Sequence, residues 1–161
     1  VPVNKLICAS NINNVLTDFI NTGVYDRNRQ FYATVSPSMD ILISSNLERL
    51  LYLMCGENDA QIREWFGALA STGKYEVTDD IKKKLAEEFE AGFCDDTETK
   101  ETIKRIYDKY SYTLDTHSAV AVKVYEEYVK ETGDKTATVI ASLPMYTTQS
   151  ENSFAIRRFS I

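Results

Sequence analysis

The chain has 161 residues, of which 43% are hydrophobic and 26% charged, and a formal net charge of −6 at pH 7. This balance is typical of one globular domain with a sizeable core and excludes a disordered chain. The negative charge argues against a nucleic-acid or anionic-membrane partner. The apolar runs are too short to cross a bilayer and no signal peptide opens the chain, so we expect a cytoplasmic protein.

The alternation of apolar and polar residues predicts ten elements in chain order. They are a strand at 3–10, a helix at 12–22, a strand at 31–35, helices at 45–55, 59–72 and 78–88, a strand at 91–94, helices at 99–110 and 116–132, and a strand at 136–141. Asn11 or Asn13 is expected to cap the first helix, and Ser45 with Glu48 to form a capping box.

Strands that alternate with helices favour an α/β fold, here a partial layer of mostly parallel strands with flanking helices. The pattern changes after Ser142. Residues 143–161 have no helical period and few apolar clusters, so we expect loop or disorder there.

The three cysteines, Cys8, Cys55 and Cys94, are far apart, odd in number and never spaced as C-x-x-C. A disulfide framework or zinc site is therefore not expected, and each thiol is predicted to be buried and free. The six glycines lie singly, so the sequence offers no glycine-rich phosphate loop, and a single histidine rules out a histidine-based metal cluster.

Two stretches carry residues suited to binding. Between residues 36 and 49, hydroxyls, an amide, carboxylates and a guanidinium surround a predicted strand end and helix start, a place that suits anions. The alternative is that they only shape a turn, cap the helix and pair Arg49 with an acid. His117, in the first turn of a helix, either contacts a ligand or belongs to a capping segment whose imidazole bonds a loop carbonyl.

The first stretch also resembles a known family. S-P-S-M-D-I at 36–41, S-S-N at 44–46 and E-R-L at 48–50 are similar to a run in the threonine synthases of many bacteria and fungi, with Leu47 replacing an aromatic residue. Residues 5–13, 115–120 and 138–142 resemble three further segments of that family in the expected order. The resemblance covers residues 1–142. Because the family's continuation after Ser142 is missing, we hypothesise that 143–161 is frame-shifted or foreign sequence.

The resemblance implies the fold of pyridoxal-phosphate (PLP) enzymes of the tryptophan-synthase β type, fold type II. It also implies conversion of O-phosphohomoserine and water to threonine and phosphate. The implied substrate-binding candidates are Ser36, Ser38, Asp40, Asn46, Arg49 and His117, and the cofactor-binding candidates are Asn11, Asn13 and Ser142.

The family's Schiff-base lysine and cofactor-phosphate loop are expected upstream of this piece, so the chain alone is predicted not to catalyse the reaction. A non-catalytic α/β interaction or regulatory domain is the alternative. Apolar surface left by a missing half would then bind a partner or drive self-association.

Overall fold

The computed structural model describes residues 3–134, 136 and 138–140. Within these residues four strands and six α-helices follow one another: β1 (Leu6–Ser10), α1 (Val15–Thr22), β2 (Val24–Asp26), α2 (Ser45–Met54), α3 (Asp59–Thr72), β3 (Lys74–Glu76), α4 (Asp79–Glu88), β4 (Phe89–Phe93), α5 (Asp96–Tyr110) and α6 (Thr116–Thr132). A single 3-10 turn occupies Pro37–Met39 in the described part. None of the described helices is long and apolar enough to cross a bilayer.

The strands form two small sheets. β1 and β4 are parallel, with Leu6 opposite Phe89 and Ser10 opposite Phe93. β2 and β3 are antiparallel, with Tyr25 opposite Tyr75. The predicted α/β architecture with a parallel sheet and flanking helices is confirmed, whereas β2 and β3 were not predicted. Each has only three residues, too few to show an alternating pattern.

The predicted helix ends agree with the structure where glycine supplies them. Gly23, Gly73 and Gly133 follow α1, α3 and α6 in the left-handed conformation that glycine adopts at little cost. The predicted capping box was wrong. Ser44 is the residue before α2 and its side chain caps nothing, while the box belongs to α5, where Asp95 and Glu98 bond each other's backbone.

The main core lies between the helices and the β2–β3 pair and is rich in aromatic rings. Tyr25 and Tyr75 stack 5.4 Å apart and 3° from parallel, with Phe19 tilted against both. Tyr25 donates to the carbonyl of Leu42 and accepts from the amide of Ser44. The Tyr75 hydroxyl, buried in the same core, makes no hydrogen bond to any described residue, and burial raises its pKa.

α6 packs closely on the parallel sheet. A Cβ placed on Gly92 of β4 would lie 2.9 Å from Cγ1 of Val124, too close for an undisturbed contact. Ile106, Leu114, Ala119 and Val122 form a second apolar cluster between α5 and α6. The glycine therefore sets how near helix and sheet approach.

All three cysteines are free, but only Cys94 is fully buried, and Cys8 and Cys55 are half-buried. The prediction of burial was thus right for Cys94 alone. Loss of solvent raises the pKa of the Cys94 thiol to about 11, and burial also raises the pKa of Cys8.

The predicted strand at 31–35 is not formed, and the described part of the strand predicted at 136–141 is not in a strand either. Residues 31–35 have no regular secondary structure, and Thr136 and Thr138–Ile140 lie outside any strand. Ala137 and Ala141, the boundary at Ser142 and the tail at 143–161 lie outside the described residues.

Candidate functional site

The candidate site lies where the two parallel strands end. β1 ends at Ser10, whose carbonyl accepts from the amide of Cys94 just beyond β4. Asn11 and Asn13 follow β1 at once, and residues 32–40, here called the 32–40 loop, fold against them. The carboxyl ends of parallel strands are the usual position of ligand sites in open α/β sheets.

Asp40 is the centre of a hydrogen-bond network at this edge. Its Oδ1 accepts from Asn11 Nδ2 at 2.7 Å, Asn13 Nδ2 at 3.1 Å and Thr34 Oγ1 at 2.7 Å. Its Oδ2 accepts from the Thr34 amide at 3.0 Å. Four donors among the described residues therefore bond to one half-buried carboxylate.

The two asparagines use their hydrogen-bonding groups within the protein. Asn11, 2% exposed, also donates from Nδ2 to Thr34 Oγ1 and Ser36 Oγ, and its Oδ1 accepts from the Asn13 amide at 2.9 Å. Asn13, equally buried, exchanges two bonds with the backbone of Tyr32, at 2.8 and 2.9 Å. Both amides hold the 32–40 loop in place, and neither caps α1 through its side chain.

Several backbone N–H groups of the 32–40 loop donate hydrogen bonds to side chains rather than to a neighbouring strand. Five of its N–H groups donate to side-chain acceptors: Tyr32 to Asn13 Oδ1, Thr34 to Asp40 Oδ2, Val35 to Asp96 Oδ1, Ser36 to Thr34 Oγ1 and Ser38 to His117 Nε2. Strand pairing would need those same N–H groups. This competition explains why the predicted strand at 31–35 does not form.

His117 joins α6 to the 32–40 loop. Its buried ring accepts from the Ser38 amide at 3.3 Å through Nε2, and Nδ1 lies 3.3 Å from Oδ1 of Asp115, the residue that caps α6. Partial burial opposes ionisation of Asp115, but hydrogen bonds from Ser118 and the nearby His117 lower its pKa overall. The ring thus bonds a loop amide, not the carbonyl expected of a capping segment.

No family model matches the chain. It is 45% identical over 143 residues to threonine synthase-like 1 from Homo sapiens, a match that covers 88% of this chain and 19% of that protein. It is 36% identical over 154 residues to threonine synthase from Saccharomyces cerevisiae, covering 88% and 30%. The crystal structure of a PLP-bound threonine synthase from Brucella melitensis superposes with a TM-score of 0.76 at 39% identity, covering 78% of this chain and 27% of that one.

The chain is homologous to part of threonine synthase. It spans about a fifth of the length of the human relative and under a third of the yeast one. The resemblance drawn from the motifs at 36–50 is thereby confirmed, and so is the fold.

The structure gathers some of the residues singled out by the threonine synthase resemblance and separates others. Asn11, Asn13, Ser36 and Asp40 meet in one network, Ser38 and His117 adjoin it, and Ser36 is 1% exposed. Ser38 is exposed, and its hydroxyl makes no hydrogen bond to the described residues. Ser142 lies outside them.

Asn46 and Arg49 lie apart from this network on the exposed side of α2. Arg49 Nη2 donates to Asn46 Oδ1, and within the described part of the chain neither side chain bonds to the network. Among the described residues Arg49 pairs with no acid, the role that residue chemistry had offered as its alternative.

Thr34 and Asp96 belong to the site but were not predicted. Thr34 stood within a supposed strand, and Asp96 stands 61 residues from the amide it binds, so no local pattern marks either.

The described residues provide only part of what PLP requires. No lysine among them hydrogen-bonds to the network, and none of their glycines adjoins another. No group of three or more described His, Cys, Asp or Glu side chains is arranged to hold a metal ion. These residues alone do not fit a covalently held PLP.

Proposed function

We propose that this chain forms part of the substrate pocket of a threonine synthase, which converts O-phosphohomoserine and water to threonine and phosphate with PLP. The observation that carries the proposal is the position of the S-P-S-M-D run, 36–40. This run, shared with the family, lies at the carboxyl ends of two parallel strands. The similarity to a PLP-bound threonine synthase supports PLP as the cofactor of the whole enzyme.

The burial of the candidate residues suggests which of them shape the pocket and which contact substrate. Ser36, Asn11, Asn13 and Asp40 are held in the network, so we assign them to shaping the pocket. Ser38, with an exposed hydroxyl, is assigned to contact substrate.

Arg49 is assigned to the phosphate or carboxylate of the substrate. A guanidinium can bind either group through two parallel hydrogen bonds, and Asn46 orients it through Oδ1. Its exposed position near the start of α2 leaves it accessible to an anion.

A segment exchange tests the proposal. The segment of yeast threonine synthase that matches residues 3–140 is replaced by this chain's sequence, and the chimera is assayed for phosphate release from O-phosphohomoserine. We expect activity, and restored growth without threonine in a yeast strain that lacks the enzyme. A folded, PLP-loaded chimera without activity would favour the non-catalytic alternative.

Arg49→Met in the chimera tests the anion contact. We expect KM for O-phosphohomoserine to rise at least about ten- to a hundredfold, because one or both hydrogen bonds from the guanidinium to a charged group are lost. Arg63→Met, which removes an exposed arginine of α3 paired with Asp59, is the matched control and should leave KM unchanged. Equal effects of the two substitutions would refute the assignment of Arg49.

Two further expectations remain proposals: a cytoplasmic location, and a division of the chain into a family-like region at 1–142 and a frame-shifted or foreign tail at 143–161. The three reading frames of the encoding DNA test the second. Failure of every frame to restore the family's continuation after Ser142 would reject the frame shift.

A further inference from the structure

The 32–40 loop is fixed by acceptors from separate parts of the fold. Asn13 follows β1, Asp96 begins α5, and His117 stands in the first turn of α6. The histidine differs from the other two acceptors in one respect. An imidazole that takes up its second proton loses the lone pair that accepts a hydrogen bond, and imidazoles generally do so within about pH 5–8.

Both nitrogens of His117 are occupied in the structure. Nε2 accepts from the Ser38 amide, so the ring proton resides on Nδ1, which faces Oδ1 of Asp115. The residue is 7% exposed, whereas Ser38 is open to solvent. The imidazole of His117 is thus turned toward the loop backbone, and Ser38, whose amide it binds, is exposed to solvent.

We infer that His117 is a positioning residue whose neutral imidazole, oriented by Asp115, fixes the backbone of Ser38 and thereby the hydroxyl that Ser38 presents to substrate. The part of this inference that concerns substrate rests on the proposed function. The part that concerns the contact between His117 and the loop does not.

Three carboxylates of the described chain bond to His117 or to loop residues that precede Ser38. Asp115 faces Nδ1 from the cap of α6, Asp96 of α5 accepts from the Val35 amide, and Asp40 bonds within the loop network. Protonation of Nε2 would place two N–H groups against each other. The Ser38 amide would then lose its acceptor while the other loop amides keep theirs.

The contact is tested on the full chain by nuclear magnetic resonance between pH 8 and pH 5. We expect the Ser38 amide shift to follow the same midpoint as the ring protons of His117. Its protection from hydrogen exchange, taken relative to an unstructured chain at the same pH, should fall about two- to tenfold. The Thr34 amide, held by Asp40, is the internal control and should keep its protection.

Two substitutions separate the contact from general loosening of the fold. His117→Ala should lower the protection of the Ser38 amide about two- to tenfold at pH 8. His117→Gln supplies an uncharged acceptor and should retain protection that no longer depends on pH. A Ser38 amide that stays unchanged while the ring titrates, or a pH dependence that persists in His117→Gln, would overturn the inference.

The chimera tests the consequence for substrate. His117→Ala should raise KM for O-phosphohomoserine about two- to tenfold with kcat within about twofold, and His117→Gln should restore KM. A fall in kcat alone would contradict positioning for binding. An inactive chimera with His117 intact would instead count against the proposed function. The nuclear magnetic resonance experiment would still test whether His117 binds the Ser38 amide.

Discussion

Replacement of Asp40 by asparagine probes the network with the smallest change of shape. Three of the four donors meet Oδ1, and the Thr34 amide meets Oδ2. An asparagine has one acceptor oxygen, so its best placement puts that oxygen at the Oδ1 position. Its NH2 group then opposes the Thr34 amide. The substitution therefore removes at least one hydrogen bond to a charged acceptor and weakens the other three.

The expected cost of Asp40→Asn follows from those contacts. A hydrogen bond to a charged group contributes about 1.5–3 kcal/mol, so we expect the free energy of unfolding to fall by about 2–3 kcal/mol. In a chain of this length the corresponding fall in Tm is roughly 4–12 °C. Urea unfolding followed by circular dichroism measures the free energy, and an unchanged dependence on urea concentration confirms that the folded and unfolded states are the same.

Asp108→Asn is the matched control. It makes the same chemical change on the exposed surface of α5, where Asp108 pairs with Lys104, and exposed pairs of this kind contribute little. If Asp40→Asn is no more destabilising than Asp108→Asn, the carboxylate is not the centre of the network. The division into pocket-shaping and substrate-contacting residues would then lose its basis.

Three other predictions concern stability and reactivity. Tyr75→Phe removes a buried hydroxyl without a partner among the described residues and should stabilise the fold by about 1 kcal/mol in urea unfolding. Tyr25→Phe breaks two hydrogen bonds and should destabilise the fold by about 1–3 kcal/mol in the same assay. Gly92→Ala should cost about 1–3 kcal/mol because its Cβ would overlap α6. Gly67→Ala, with open space around it in α3, should gain about 0.5–1 kcal/mol, and equal effects of the two would refute the reasoning. Burial raises the pKa of the Cys94 thiol from 9.0 to about 11, so between these pH values the thiol ionises in the unfolded chain before it ionises in the folded one. The free energy of unfolding should therefore fall as pH rises from about 9 to about 11. Alkylation followed by mass spectrometry should show that Cys94 is unreactive at pH 8.

The sequence predicted the elements whose signals are local. The apolar stripe of α1 and the glycine that ends it lie within a few residues of each other, and so do the cap Asp115 and the helix α6 that it begins. The parallel arrangement followed from the alternation of strands and helices. β2 and β3 had no such signal, because each is short and its partner lies about 50 residues away.

The 32–40 loop shows why the rest could not be predicted. Its residues 31–35 combine aromatic and β-branched side chains, a composition that favours a strand. Among the groups that prevent strand pairing at 31–35, Asn13 and Asp96 lie 19 and 61 residues from the amides of Tyr32 and Val35, which donate to them. Asp40, which accepts from the Thr34 amide, lies within the loop, but Asn13 and Asp96 lie outside any local window, so the folded structure is needed to show the competition.

Residue type alone was also a poor guide to which polar residues remain available for a ligand. Asparagines and an aspartate at a strand end resemble ligand contacts, yet the buried amides of Asn11 and Asn13 already have partners, and the four bonds to Asp40 hold loop and strand together. Ser38, the less conspicuous residue beside this network, is left open. If this division is right, substitutions in the network should change stability and substrate affinity together, because a displaced loop moves Ser38. Substitution of Ser38 itself should change affinity alone, so measuring both quantities on one set of variants distinguishes a scaffold from a contact.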